Sequence, residues 1–125
     1  MSDPIFESSA FTPDELVGAG SPIVTRDVTL TDIDDTGPLV RGTVLGMDGD
    51  GKYGISLVAE DDGSEVPRAI LARDADPSDG DVTATIYEAG EFNLRRLTIG
   101  TGHTAASIVE PLRSVSIFVR QSVAR

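Results

Sequence analysis

The chain has no cysteine, which excludes disulfides, iron–sulfur clusters and thiolate zinc sites. It has a single histidine, His103, and a single lysine, Lys52. A metal site built on imidazole would have to draw its other ligands from carboxylates, and no spacing in the sequence supplies them. No apolar run approaches the length of a membrane span. The first twenty residues, MSDPIFESSAFTPDELVGAG, carry no basic start and no apolar centre, so they do not read as a signal peptide. The expectation is a protein made in the cytoplasm and either kept there or carried on a particle.

Basic residues are also scarce. Nine arginines and one lysine face 21 acids, fourteen of them aspartate, for a formal charge of −11. Binding to nucleic acid through counterion release needs arginine and lysine gathered on one face. Here Arg95-Arg96 is the only adjacent basic pair, and it falls inside a strand-like stretch. The sequence therefore points away from nucleic acid and from anionic membranes as partners. A lysine-poor, aspartate-rich surface suits concentrated salt, where self-repulsion is screened.

With 125 residues the chain is long enough for one domain that buries roughly two-thirds of its unfolded surface without a metal or disulfide. Residues 1–21 read as a flexible N-terminal arm: four acids, no base, and Ile5, Phe6, Phe11 and Leu16 too sparse for an amphipathic stripe. TPDEL, residues 12–16, permits one helical turn capped by Thr12. Apolar groups on such an arm serve as anchors for a partner.

Residues 22–125 alternate strand and turn signals about every ten residues. Strands are expected at 22–31, 38–47, 52–59, 66–75, 81–89, 91–99 and 116–123. DGDG at 48–51 marks a hairpin. In DPSDGDVTATIYEAGEFN, Val82, Ala84 and Ile86 alternate with Thr83, Thr85 and Tyr87, the period of a half-buried strand, and Gly90 reads as the turn that ends it. Ser107 and Glu110 suggest a capping box for one short helix, with Pro111 in its first turn. The fold class is mainly β with one short C-terminal helix.

Three motifs tempt a catalytic or metal reading. Asp35-Thr36-Gly37 matches the aspartic-protease tripeptide, whose aspartate must end an apolar strand so that two carboxylates share a proton in a buried dyad. Here Asp32, Asp34 and Asp35 crowd four positions and Pro38 follows directly, so an acidic turn is the simpler reading and a small homodimeric protease the alternative. DGDGKYG lacks the acid at the fifth position and the glutamate at the twelfth that a calcium loop needs. His103 and Ser107 lie four apart with no nucleophile elbow, and the glycine pairs GAG and GTG lack the rest of a phosphate loop. No catalytic residue, cofactor site or metal site is expected; a β-module binding a host protein is a further alternative.

The run VPRAILARDADPSDGDVTATIYEAGEFN, then LRRLTIG, then PLRSVSIFV, resembles the head decoration protein family of tailed viruses, the lambda protein D-like proteins. The likeness rests on Ile70-Leu71-Ala72 with Asp74, on Tyr87 through Phe92, on Leu112-Arg113 with Ile117, and on the upstream LVRGTVLGM. It implies a β-clip-type decoration domain over residues 22–125 that assembles as a homotrimer. It implies attachment to the major capsid protein on the outside of the expanded shell, at threefold positions, against internal DNA pressure. The arm, disordered in the free protein, would add a strand to the shell protein, with Ile5, Phe6, Phe11, Thr12 and Leu16 as its contact residues. The acidic composition suggests a tailed virus of a halophilic host.

Overall fold

The computed structural model describes residues 16–18 and 22–120. The strands are β1 (Val24–Leu30), β2 (Val44–Met47), β3 (Tyr53–Ile55), β4 (Ala69–Leu71), β5 (Val82–Asn93) and β6 (Ile117–Arg120); the helix is α1 (Ala105–Arg113). Hydrogen bonding runs β1-β3-β2-β4-β5, and β1 also pairs with β5, so the first five strands close on themselves. The closing contact is short: β1 meets β3 only at Leu30↔Tyr53. The domain is mainly β, barrel-like, with one short helix near its C-terminal end.

The expected alternation along β5 holds. Ala84 and Ile86 sit in the barrel core with Leu30, Leu45 and Leu71, and Val82 packs against them. Tyr87 points the other way, into a second core with Val44, Ile70 and Phe92. The neighbours Val44 and Leu45, and Ile70 and Leu71, divide between the two cores in the same way, as a pleated sheet requires. Ile108 and Leu112 of α1 and Ile117 of β6 close the second core from outside, each with no exposed surface. Burying a side chain of that size stabilises the fold by about 1.5–3 kcal/mol.

The DGDG hairpin forms as read: Met47 pairs with Tyr53, and Asp48 N donates to Lys52 O at 2.8 Å. Gly90 does not end a strand. β5 runs through it for 12 residues, with Gly90 at φ +142° and paired to Ile117. Residues before it pair with β1 inside the barrel; residues after it pair in parallel with β6. The glycine is the joint at which the strand changes partner, and an added Cβ there would meet the Phe92 ring at 3.2 Å. The two strands expected at 81–89 and 91–99 are therefore one strand followed by a 3-10 turn, Leu94–Arg96. This is why six strands stand among the described residues where seven were read.

The cap of helix α1 lies three residues before Ser107, the cap that the sequence suggests. Thr104 is the cap: Ser107 N donates to Thr104 Oγ1 at 3.3 Å, and Thr104 N donates to Ser107 Oγ at 2.9 Å. Ser107 takes the third helical position that the reciprocal bond requires. Pro111 then falls beyond the first turn, so the helix forgoes one backbone bond.

Candidate functional site

The end of β5 gathers both ends of the described chain. On one edge, Gly18 N donates to Glu91 O at 2.7 Å and Asn93 N donates to Leu16 O at 2.7 Å, framing a bridge between Val17 and Phe92. On the other edge, β6 pairs in parallel from Gly90↔Ile117 to Asn93↔Arg120. Leu16 and Arg120 therefore flank Asn93, one strand spacing to either side, and the described chain enters and leaves at the same end of this small sheet.

Leu16 corrects the sequence reading. The sequence puts it on the arm as a contact for a partner, but it is 1% exposed and packed in the second core with Phe92, Ile108 and Leu112. The folded body begins no later than Leu16, ahead of the boundary placed at residue 22. The other proposed contact residues, Ile5, Phe6, Phe11 and Thr12, lie outside the described residues.

Beside this end, α1 and β6 bound a groove of about 250 Å³ lined by Val109, Arg113, Phe118, Val119 and Arg120. Phe118 is 36% exposed, while its neighbour Ile117 is fully buried, the in–out alternation of a strand with one free face. The groove's guanidiniums both hold carboxylates: Arg113 lies 3.5 Å from the exposed Glu110, and Arg120 pairs with Glu91, whose side chain is largely buried. Sequence reasoning missed all five residues, because the groove exists only once β6 lies parallel to β5 under the helix.

The motifs singled out for chemistry serve the backbone. Asp35 is exposed at φ 55°, next to Asp34 at φ 56°, and Asp32 Oδ1 accepts from Gly37 N at 3.1 Å and from Thr36 Oγ1. This is an acidic turn held by an aspartate side chain, with the carboxyl of Asp35 in water instead of a dry dyad. Asp48 Oδ1 accepts from Asp50 N at 2.9 Å and Lys52 N at 3.0 Å, so its carboxylate shapes the hairpin. Among the described residues no three histidine or carboxylate side chains converge on a point where a metal would sit.

His103 is more than a loop residue. Its Nε2 lies 2.8 Å from the Glu65 carbonyl and 3.2 Å from Ser56 Oγ, and its Nδ1 lies 2.8 Å from Ser107 Oγ. A carbonyl oxygen only accepts, so Nε2 carries a proton towards Glu65, while the Ser107 hydroxyl lies within reach of both Nδ1 and the Thr104 carbonyl, the latter at 3.1 Å. The same Ser107 oxygen accepts from Thr104 N, so it is committed to the helix cap. The ring ties three separated segments together. No sequence signal marks it, since its partners at 56 and 65 are distant in the chain.

The closed barrel thus carries a small extra sheet that tethers residues 16–18, with the groove beside it, and Asp32, Asp48 and His103 bond to turns and to the helix cap. The family model described as bacteriophage lambda head decoration protein D matches residues 5–115. The chain belongs to that head decoration family, and a capsid decoration role follows from it. No curated protein matches the chain.

Proposed function

We propose that this chain is a cement subunit of a tailed-virus head: a homotrimer that binds the outer face of the expanded capsid at threefold positions and stabilises it against internal DNA pressure. The observation that carries this reading is the family match over residues 5–115, which takes in both the barrel and most of the arm. The backbone tether at residues 16–18 supports it, because a segment held at a sheet edge is delivered to a partner from a fixed point. Residues 1–15, with Ile5, Phe6 and Phe11, would add a strand to the major capsid protein, the backbone giving affinity and alternate side chains finding pockets. Ordering the segment makes each arm a weak binder by itself, and three arms on one trimer raise the effective concentration of the rest. A net charge of −11 suits a protein outside the shell that has no task on packaged DNA.

Two measurements test it. Light scattering of the purified chain should give three times the subunit mass. Co-sedimentation with emptied, expanded heads should show binding by the full chain and none by a chain lacking residues 2–15 that remains folded. A folded monomer that ignores expanded heads overturns the reading.

A further inference from the structure

Charge is unevenly distributed along the described chain. Residues 22–82 hold fourteen acids against five bases, whereas residues 83–120 hold three acids against four arginines. The acids of the first part crowd one another: Glu60 is held above its ordinary carboxylate range by partial loss of water and then by Asp62, Asp34, Asp61 and Glu65. An acidic partner segment meets repulsion over that surface. The groove between α1 and β6 offers the reverse, an apolar floor of Val109, Phe118 and Val119 rimmed by Arg113 and Arg120.

We propose that this groove is a second contact with the capsid shell, separate from the arm, and that it takes an extended apolar segment of the major capsid protein flanked by carboxylates. The inference rests on the decoration reading above. Three observations select this occupant. The groove sits at the end of β5 where the tethered segment enters, so a shell gripped by the arm lies within reach of it. The strand β6 is paired on one edge only among the described residues, which leaves backbone donors and acceptors for an added strand. Both rim guanidiniums are 60% exposed; Arg113 is held by Glu110, itself open to solvent, whereas Arg120 is held by Glu91, whose side chain is only 12% exposed. A pair as exposed as Arg113–Glu110 contributes little and exchanges readily for a partner's carboxylate.

The test uses the full-length protein with its arm intact. Arg113→Glu and Phe118→Ser are compared with the wild type for binding to expanded, emptied heads, and Val40→Ser and Val66→Ser serve as exposed apolar controls away from the groove. The expected result is a loss of affinity of roughly tenfold or more for each groove variant, a shallower salt dependence for Arg113→Glu, and unchanged binding by the controls. Unchanged melting and unchanged light-scattering mass show that the variants fold and assemble. Groove variants that bind heads like the wild type overturn the inference and leave the decoration reading standing. So does a drop in mass for Phe118→Ser, which would make the groove a contact between copies of this chain. A wild-type chain that does not bind heads removes the decoration reading itself.

Discussion

Val17 bridges Phe92 across the outer edge of β5, and the residue before it, Leu16, is 1% exposed in the core beneath α1. The entering segment is thus fastened twice, by backbone bonds and by a buried side chain. Leu16→Ala leaves a cavity against Phe92, Ile108 and Leu112, and it should cost about 2–5 kcal/mol in urea unfolding. Removing residues 2–15 should leave the urea midpoint near that of the full chain, and removing residues 2–18 should lower it. Equal midpoints for the two truncations would show that residues 16–18 add nothing to the body.

His103 should behave as a strut. Its replacement by alanine strands the Glu65 carbonyl and the Ser56 hydroxyl, the latter with no exposure, and releases Ser107 from one of its partners. Leaving a buried polar group without a partner costs about 1–3 kcal/mol. His103→Ala should therefore lower the urea midpoint more than Ser107→Ala, which loses the reciprocal cap at about 1 kcal/mol. The reverse order would mean that the ring's contacts are incidental.

Gly46 is required for space. A Cβ at this residue of β2 would stand 2.0 Å from the Ser64 carbonyl oxygen, which belongs to backbone that has no room to withdraw. Gly51, in the hairpin at φ +83°, has nothing within 4 Å of an added Cβ, so alanine there meets backbone strain alone. Gly46→Ala should lower the thermal midpoint well beyond Gly51→Ala, for which the strain amounts to about 1–2 kcal/mol.

Much of this fold was legible because its signals are local. The hairpin at 48–51 and the alternation from Val82 to Tyr87 depend only on neighbours in the chain. Gly90 misled because a glycine in a strand reads the same whether it ends the strand or lets it change partner; the pairing with Ile117, distant in sequence, decides. Leu16 misled for the same reason, since four scattered apolar residues look alike until one of them finds Phe92. Ser107 was recognised as a cap residue, but the cap itself lies at Thr104, whose extended backbone no spacing reveals. The groove was invisible because Val109 and Phe118 meet only through the packing of α1 on β6.

The acidic turns give stability a dependence on pH with two signs. Asp81 is held below its ordinary range by a hydrogen bond from Lys52 and then by Thr31, Asp62 by the hydroxyl and backbone of Ser64, and Asp76 by those of Ser78. A carboxyl depressed in the folded state contributes stability above its unfolded value, about 3.9 for aspartate, and that contribution is lost as pH falls through the lower folded value. Glu60 is shifted upward, so it opposes folding at neutral pH and ceases to do so on protonation. Urea midpoints should rise slightly on going from neutral pH towards about 4.5 and fall below about 4. Glu60→Gln should flatten the first limb and Asp81→Asn should weaken the second.

Salt should stabilise this protein. Lys52 is pulled towards Asp81 at 2.8 Å and also faces Asp48 and Asp50, so a single cation serves three acids. Around Glu60 four further acids gather with no base among them. Raising the ionic strength weakens the Lys52–Asp81 attraction, but it weakens the more numerous repulsions as well; the screening length falls from about 10 Å at 0.1 M to about 3 Å at 1 M. With 21 acids against ten bases, repulsion dominates the sum. Urea midpoints should therefore increase from low to molar KCl, and Lys52→Gln should enlarge the increase by removing one of the attractive contacts that salt weakens. Equal midpoints at both salt concentrations would show that the acids are spaced widely enough to ignore one another, and the high-salt origin suggested by the composition would lose its physical support.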